Sequence, residues 1–370
     1  PHPHSPPLPH PIPSDMPHTT FDPNAAAKPG SGIFGLPFTA DESRIILVPV
    51  PFDATTSYGG GASRGPAAIR RASAQVDLHD PQFGPIYQRG IFMADESPAI
   101  RHLSQRAREL ALPIIEQGGP DDASADDAHA LATVNAAGDR VNAFVHEEFT
   151  RILASGKTPG LVGGDHSTPF GAIQACAEHV AALDAVPGGL EPGETTLGIL
   201  HLDAHMDLRE AFEGFTWSHA SIMHNVMTRI PQVSHLVQIG LRDVGRDELD
   251  FADAHHGRVF PHFDHQWHRA MLDGARFTDL VRAALEPLPK HVYVSFDIDA
   301  LDPSLCPHTG TPVPGGLSFH QAAIILELLA ASGRTIVGFD LVEVTPGPRA
   351  GQDGPDAEPE WDANVGARIL

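Results

Sequence analysis

Four short apolar runs in this chain each end in a tight group of acidic or histidine residues, and few folds can hold that arrangement. The run at 158–163 leads into GGDHS, with Asp165 and His166. The run at 196–203 leads into DAHMD, with Asp203, His205 and Asp207. The run at 291–297 leads into SFDIDALDP, with Asp297, Asp299 and Asp302, and the run at 335–344 carries Asp340 and Glu343. Helical patterns lie between the runs. Strands that alternate with helices pair in parallel through right-handed crossovers, with helices on both sheet faces. In such a sheet, functional residues gather just beyond the carboxyl ends of the strands. The fold class predicted is α/β: three layers, α/β/α, around a central, mainly parallel sheet.

Further strands are expected at 44–51, 235–242 and 259–263. Helices are expected at 66–76, 98–112, 130–154, 168–180, 219–230, 277–285, 318–331 and 361–370. The acidic Gly/Pro stretch at 116–128 and the segment 184–195 read as loops. Residues 1–40 form a Pro/His-rich N-terminal arm, extended because proline at that density favours unpaired backbone. Residues 41–370 form one catalytic domain without internal repeats.

Charge and cysteine usage narrow the function. The chain has 24 Lys and Arg against 47 Asp and Glu, a formal net charge of −23. So acidic a chain is a poor phosphate binder, which argues against nucleic-acid or anionic-membrane partners. Its two cysteines, Cys176 and Cys306, make neither a disulfide framework nor a CxxC site. No apolar run approaches the roughly 18 residues of a membrane span. No basic stretch leads an apolar run as in a secretory signal. A soluble cytoplasmic protein is the expectation.

The chemistry lies in the strand-end clusters. Alternate residues of an extended segment point the same way, so Asp203, His205 and Asp207 can converge. Asp297 and Asp299 are likewise two apart. So many carboxylates at one edge repel one another unless cations neutralise them. One such cluster could be a solvated loop or a helix cap; three at three separate strand ends are not explained that way. Two histidines and four carboxylates without thiolates suit Mn²⁺, Ni²⁺, Fe²⁺ or Zn²⁺ better than Ca²⁺. Six ligands exceed what one catalytic ion with an open position needs and suit two ions with bridging carboxylates. Two such cations lower the pKa of a shared water, giving hydroxide near neutral pH.

The motifs GGDHS at 163–167, DAHMD at 203–207, SFDIDALDP at 295–303 and EVTP around Glu343 resemble those of the ureohydrolase family, which includes arginase and agmatinase. The resemblance runs from about residue 44 to the end and implies an arginase-like fold. It makes His166 and Asp207 terminal ligands of one metal, and His205 and Asp299 terminal ligands of the other. Asp203 and Asp297 then bridge. The cofactors implied are two divalent ions, Ni²⁺ or Mn²⁺, and the assembly implied is a homo-oligomer, a trimer or hexamer. Glu343 takes the role of pairing with the substrate guanidinium, which a carboxylate matches in a bidentate fork. Asp207 would pass a proton from the bridging hydroxide to the leaving nitrogen. His219, in the sequence FTWSHAS, matches a proton-relay or substrate-orienting histidine, a role suited to an imidazole near its ordinary pKa. Asp165, Asp302 and Asp340 read as supporting or turn residues, His224 as structural, and Cys306 as a small loop residue.

The stretch LREAFEGFTWS differs from the Ser/Asn-rich stretch of arginase proper and disfavours arginine. The segments TTSYGGGASRGPAAI, HTGTPVPGGL and WDANVGAR resemble the agmatinase-like subgroup that includes guanidine hydrolases. The expectation is a binuclear-metal hydrolase of a small guanidino substrate, with free guanidine first, giving urea and ammonia. Agmatine and guanidinobutyrate follow, then formimidoylglutamate or a non-catalytic subunit of a heteromeric ureohydrolase.

Overall fold

The alternation read from the sequence becomes a single parallel sheet in the structure, a computed structural model that describes residues 21–28, 30–81, 83–183, 195–348 and 360–370. In chain order the elements are β1 (Ile45–Val50), α1 (Gly65–Ser73), β2 (Ile91–Met93), α2 (Pro98–Glu116), α3 (Ala125–Ala154), β3 (Thr158–Gly163) and α4 (Phe170–Ala182). Next come β4 (Leu197–Leu202), α5 (Ile222–Arg229), β5 (Val233–Leu241), α6 (Arg246–Ala254), β6 (Val259–Phe263), α7 (Asp264–Leu272) and α8 (Phe277–Leu285). The chain closes with β7 (His291–Asp297), α9 (Phe319–Ala331), β8 (Thr335–Val342) and α10 (Trp361–Ile369).

Among the described residues the sheet has eight strands in the order β2-β1-β3-β8-β7-β4-β5-β6, every pair parallel. Every residue of β4 and of β7 is buried, as expected of central strands covered on both faces. Alternation splits the strand side chains between two cores. Leu197 and Ile199 join the core under α2, α3, α4 and α5, while Leu200 and Leu202 join the one under α1, α8, α9 and α10. The four strands that end in the acidic and histidine clusters are consecutive neighbours, β3-β8-β7-β4. Parallel pairing puts all their carboxyl ends on one edge, and that alone brings distant segments of sequence together.

Some local expectations change. The acidic stretch at 116–128 is not all loop: Ser124 caps α3 by accepting from the Asp127 N–H, and Asp126 and Asp127 occupy its first turn. Those residues satisfy free N–H groups and oppose the helix dipole, so they start a helix rather than extend a loop. The short edge strand β2 and the helices α6 and α7 lack a periodic apolar signal long enough to read. Within the region assigned to the arm, Ile33 and Leu36 are buried in the core with Ala68 and Ile69, and the Phe34 N–H donates to Ser73 Oγ at 2.8 Å. Residues 1–20 of the proposed arm and 184–194 of the proposed loop lie outside the described residues. No helix among the described residues is long and apolar enough to cross a membrane.

Candidate metal centre

The turn after β3 delivers the first histidine. A Cβ at Gly164 would lie 1.9 Å from the Phe52 carbonyl oxygen, so only glycine lets the chain pass the end of β1 there. The Asp165 N–H donates to that carbonyl, and the His166 N–H donates to Glu343 Oε1 at 2.9 Å. The His166 Nε2–H donates to Ser295 Oγ at 2.9 Å, and the Ser295 hydroxyl donates to Asp340 Oδ1 at 3.1 Å. Asp340 Oδ1 also accepts the Phe296 N–H, which marks it as the acceptor at the end of the chain. The proton therefore sits on Nε2, and His166 Nδ1 keeps its lone pair.

That lone pair faces three carboxylates. Asp203 Oδ2, Asp207 Oδ2 and Asp297 Oδ2 lie 3.0, 3.1 and 3.2 Å from His166 Nδ1. Yet Nδ1, fully buried, has no hydrogen-bond partner among the described residues. A second group adjoins the first: His205 Nδ1 lies 3.1 Å from Asp299 Oδ2 and 3.4 Å from Asp203 Oδ1. Asp203 belongs to both groups, one oxygen toward each. Asp297 contributes Oδ2 to the first group, while its Oδ1 accepts the Asp299 N–H at 2.8 Å.

Electrostatics shows what the donor set favours. Burial pushes Asp207 up to about 7, with the neighbouring Asp203 charge adding to the effect. Burial also raises Asp297 and Glu343 well above the usual carboxylate range, helped by Asp299 and Asp203 for the former and by Asp297 for the latter. For His166, burial alone would lower the pKa, but the three facing aspartates raise it well above the ordinary value. The three aspartates thus favour positive charge at this point, either a proton on His166 Nδ1 or a cation that Nδ1 and the carboxylates would hold together. This donor set fits divalent cations, one against His166, Asp207, Asp203 and Asp297 and one against His205, Asp299 and Asp203.

Glu343 follows β8 with φ of +60°, a left-handed conformation that is uncommon for a non-glycine residue. Its N–H donates to the Gly164 carbonyl, and its own carbonyl accepts from Thr309 Oγ1. With Oε1 held by His166, Oε2 is buried and has no partner among the described residues. Asp207 is also left-handed, at φ +54°, and its carbonyl accepts the Met223 and His224 N–H groups at the start of α5.

His219 stands in the 3-10 turn before α5, with Nε2 3.4 Å from Ser57 Oγ and the Phe212 ring edge against it. Burial pushes its pKa down to about 3, and His205 and His166 push further in the same direction. It is a neutral imidazole, so the expectation of a near-ordinary pKa does not hold. Ser57, His205, Asp207, His219, Asp243 and Thr311 line a cavity of about 170 Å³ that opens from the acidic floor.

The supporting residues fall into place. Asp165 accepts from Ser167 and orders the turn, and Asp302 accepts the Ser304 N–H. His224 packs on Phe251, and Cys306 Sγ faces the Ile298 carbonyl at 3.3 Å. The sequence reading passed over His201, Gln238 and Ser295, all buried beside the acidic and histidine clusters, and Ser57, Asp243 and Thr311 at the cavity wall. His201 was legible, because it continues the alternate positions 203, 205 and 207 backward by one step.

Known proteins resemble this chain over most of its length. The model of the Arginase family matches residues 43–354. The N(1)-aminopropylagmatine ureohydrolase of Thermus thermophilus is 34% identical over 307 residues, covering 83% of this chain and 84% of that protein. The proclavaminate amidinohydrolase of Streptomyces clavuligerus is 31% identical over 308 residues, covering 82% and 80%. Among solved structures, arginase from Medicago truncatula superposes with a TM-score of 0.61 at 26% identity, covering 89% of this chain and 85% of that one.

Proposed function

Since the chain belongs to the arginase family, and is thus a metal-dependent ureohydrolase acting on amidine or guanidine compounds, we propose that it releases urea from a small guanidino compound with an amine-bearing tail, of the agmatine type. The observation that carries this reading is an acidic, two-histidine floor beneath a cavity whose mouth holds Asp243, an exposed carboxylate. A bare guanidinium has only four heavy atoms and would leave most of the 170 Å³ to water, whose molecules take about 30 Å³ each. An alkylamine tail would fill the cavity and meet Asp243. The relative named for aminopropylagmatine supports the same substrate class. Arg209, stacked on Phe212 at the cavity wall, would instead favour a carboxylate tail such as that of 4-guanidinobutyrate.

In this reading His166, Asp207, His205 and Asp299 would each help to hold one of two divalent ions, with Asp203 and Asp297 shared between them. When bound, two divalent ions, Mn²⁺ or Ni²⁺, would acidify water and so supply a nucleophile near neutral pH. Glu343 Oε1 is fixed by the His166 N–H, leaving Oε2 to accept an N–H of the substrate guanidinium and hold its carbon over the floor. Water adds to that carbon, the bond to the tail nitrogen breaks, and the proton lost by the water must reach the departing amine. Asp207 would carry that proton. Neutral His219, held too weak a base for proton relay by its burial, would orient the substrate through Nε2 on the cavity side, where Ser57 holds it. A homo-oligomer, trimer or hexamer, belongs to the same proposal, and light scattering that gives the mass of one chain would count against it.

A urea-release assay with Mn²⁺- or Ni²⁺-loaded protein tests the reading over agmatine, guanidine, 4-guanidinobutyrate and arginine. Agmatine should give the highest kcat/KM, and a higher value for guanidine would overturn the tail assignment. Asp243→Asn should raise the agmatine KM about 2- to 5-fold, as loss of an exposed ion pair does, and leave guanidine unchanged. Asp297→Asn should abolish tight binding of the second metal equivalent, and full activity in that variant would defeat the bridging role.

A further inference from the structure

Strands buried on both faces are apolar nearly throughout, but one row of this sheet is polar. Gln238, His201, Ser295 and Asp340 are register partners across β5, β4, β7 and β8, and all four are buried. Polar groups persist at that depth by being hydrogen bonded, so the destination of each donor is informative. Ser295 and Asp340 set the tautomer of His166. The other half of the row bears on Asp203 and Asp207.

Gln238 Nε2 lies 2.8 Å from the Met206 carbonyl oxygen and 2.9 Å from His201 Nδ1. A carbonyl can only accept, so the atom facing it is the amide nitrogen. The second hydrogen of that nitrogen points at His201 Nδ1, which must then accept. His201 therefore carries its proton on Nε2 and donates it to Asp203 Oδ2 at 2.9 Å. The other oxygen, Asp203 Oδ1, accepts the His205 N–H at 2.6 Å. Both oxygens are thus oriented, one toward each ligand group. The same amide grips the Met206 carbonyl, the peptide that precedes the left-handed Asp207. His201 also stands within ligand distance of His166, Asp203 and Asp207. With both ring nitrogens engaged, however, it has no lone pair left for a cation.

We propose that Gln238 and His201 act as a positioning pair, one amide fixing the orientation of Asp203 through the imidazole and of Asp207 through the Met206 carbonyl. This rests on the metal-centre reading above. The test titrates Mn²⁺ into chelator-treated protein by calorimetry, with the electron paramagnetic resonance signal of a coupled Mn²⁺ pair and the unfolding midpoint of the metal-free protein as further readouts. Loss of an outer partner of a metal ligand weakens metal affinity about 10- to 100-fold. His201→Leu and Gln238→Met should each show that loss, with isolated Mn²⁺ replacing the coupled signal. His201→Gln should recover most of the affinity, because its amide can still donate to Asp203. A merely structural role would move the unfolding midpoint and leave affinity and coupling alone, and that result overturns the proposal. If a variant does not fold, ¹⁵N NMR of the wild-type protein decides. A bare Nδ1 and a protonated Nε2 on His201 are expected, and the opposite tautomer overturns the pair. Failure of the wild-type protein to bind two cations would instead defeat the metal reading, while the tautomer measurement would still judge the pair.

Discussion

At the scale of single residues, the site is a set of groups held in states that water would not allow. Glu343 keeps one oxygen unpaired in a buried setting, a standing cost that a bound guanidinium would relieve. Glu343→Gln should therefore cut kcat/KM roughly 10- to 100-fold, the loss of a charged hydrogen bond, while metal content by elemental analysis stays at the wild-type level. A drop in metal content would move Glu343 from substrate pairing to metal support. Asp340 gives a pH prediction. Burial raises its carboxyl from the ordinary 3.8 to about 6, so it takes up a proton on folding between those values. The charged form is the penalised one, so stability is lost as pH rises through that window and stays lost above it. Asp340→Asn in metal-free protein should be more stable than wild type at pH 8 by about 1–3 kcal/mol. The gain should vanish below about pH 4, where both forms are neutral. Denaturant unfolding at the two pH values measures it, and an equal effect at both would contradict the burial argument.

At the scale of elements, turns and caps position the chemistry. The Gly164 turn brings His166 against Glu343, and the backbone it passes leaves no room for a methyl group. Gly164→Ala should displace that turn, so metal affinity should fall while far-ultraviolet circular dichroism stays near wild type. Wild-type affinity in this variant would mean that the turn is not what places His166. The start of α3 shows how a cap overrides a compositional reading. Acidic residues, Gly and Pro suggest a loop, but Ser124 followed by two aspartates is a helix start. Ser124→Ala should cost about 1 kcal/mol of stability, read by chemical denaturation, with no change in catalysis because α3 lies away from the cavity. Elements with long periodic patterns, such as α9 with its Ser318–Gln321 capping box, were legible in the sequence. The short α6, α7 and β2 were not, because few apolar positions mark them and the rest of the sheet stabilises them.

At the scale of the whole molecule, the excess of acidic residues over basic ones, a net charge of −23, surrounds a site proposed to take cationic substrates. Long-range attraction should raise the encounter rate, so kcat/KM for agmatine should fall as ionic strength rises while kcat changes little. Initial rates over a salt series check this, and a kcat/KM independent of salt would remove charge steering from the account. The sequence by itself determined the α/β alternation, and the acidic and histidine residue types and their grouping at strand ends, because backbone periodicity and side-chain chemistry are local properties. It did not determine which strands are neighbours. Only the order β3-β8-β7-β4 brings His166, Glu343, Asp297 and Asp203 to one edge, and only burial there lowers the His219 pKa and leaves the Glu343 oxygen without a partner. Strand order and desolvation depend on contacts between residues far apart along the chain, and a local pattern carries no record of them.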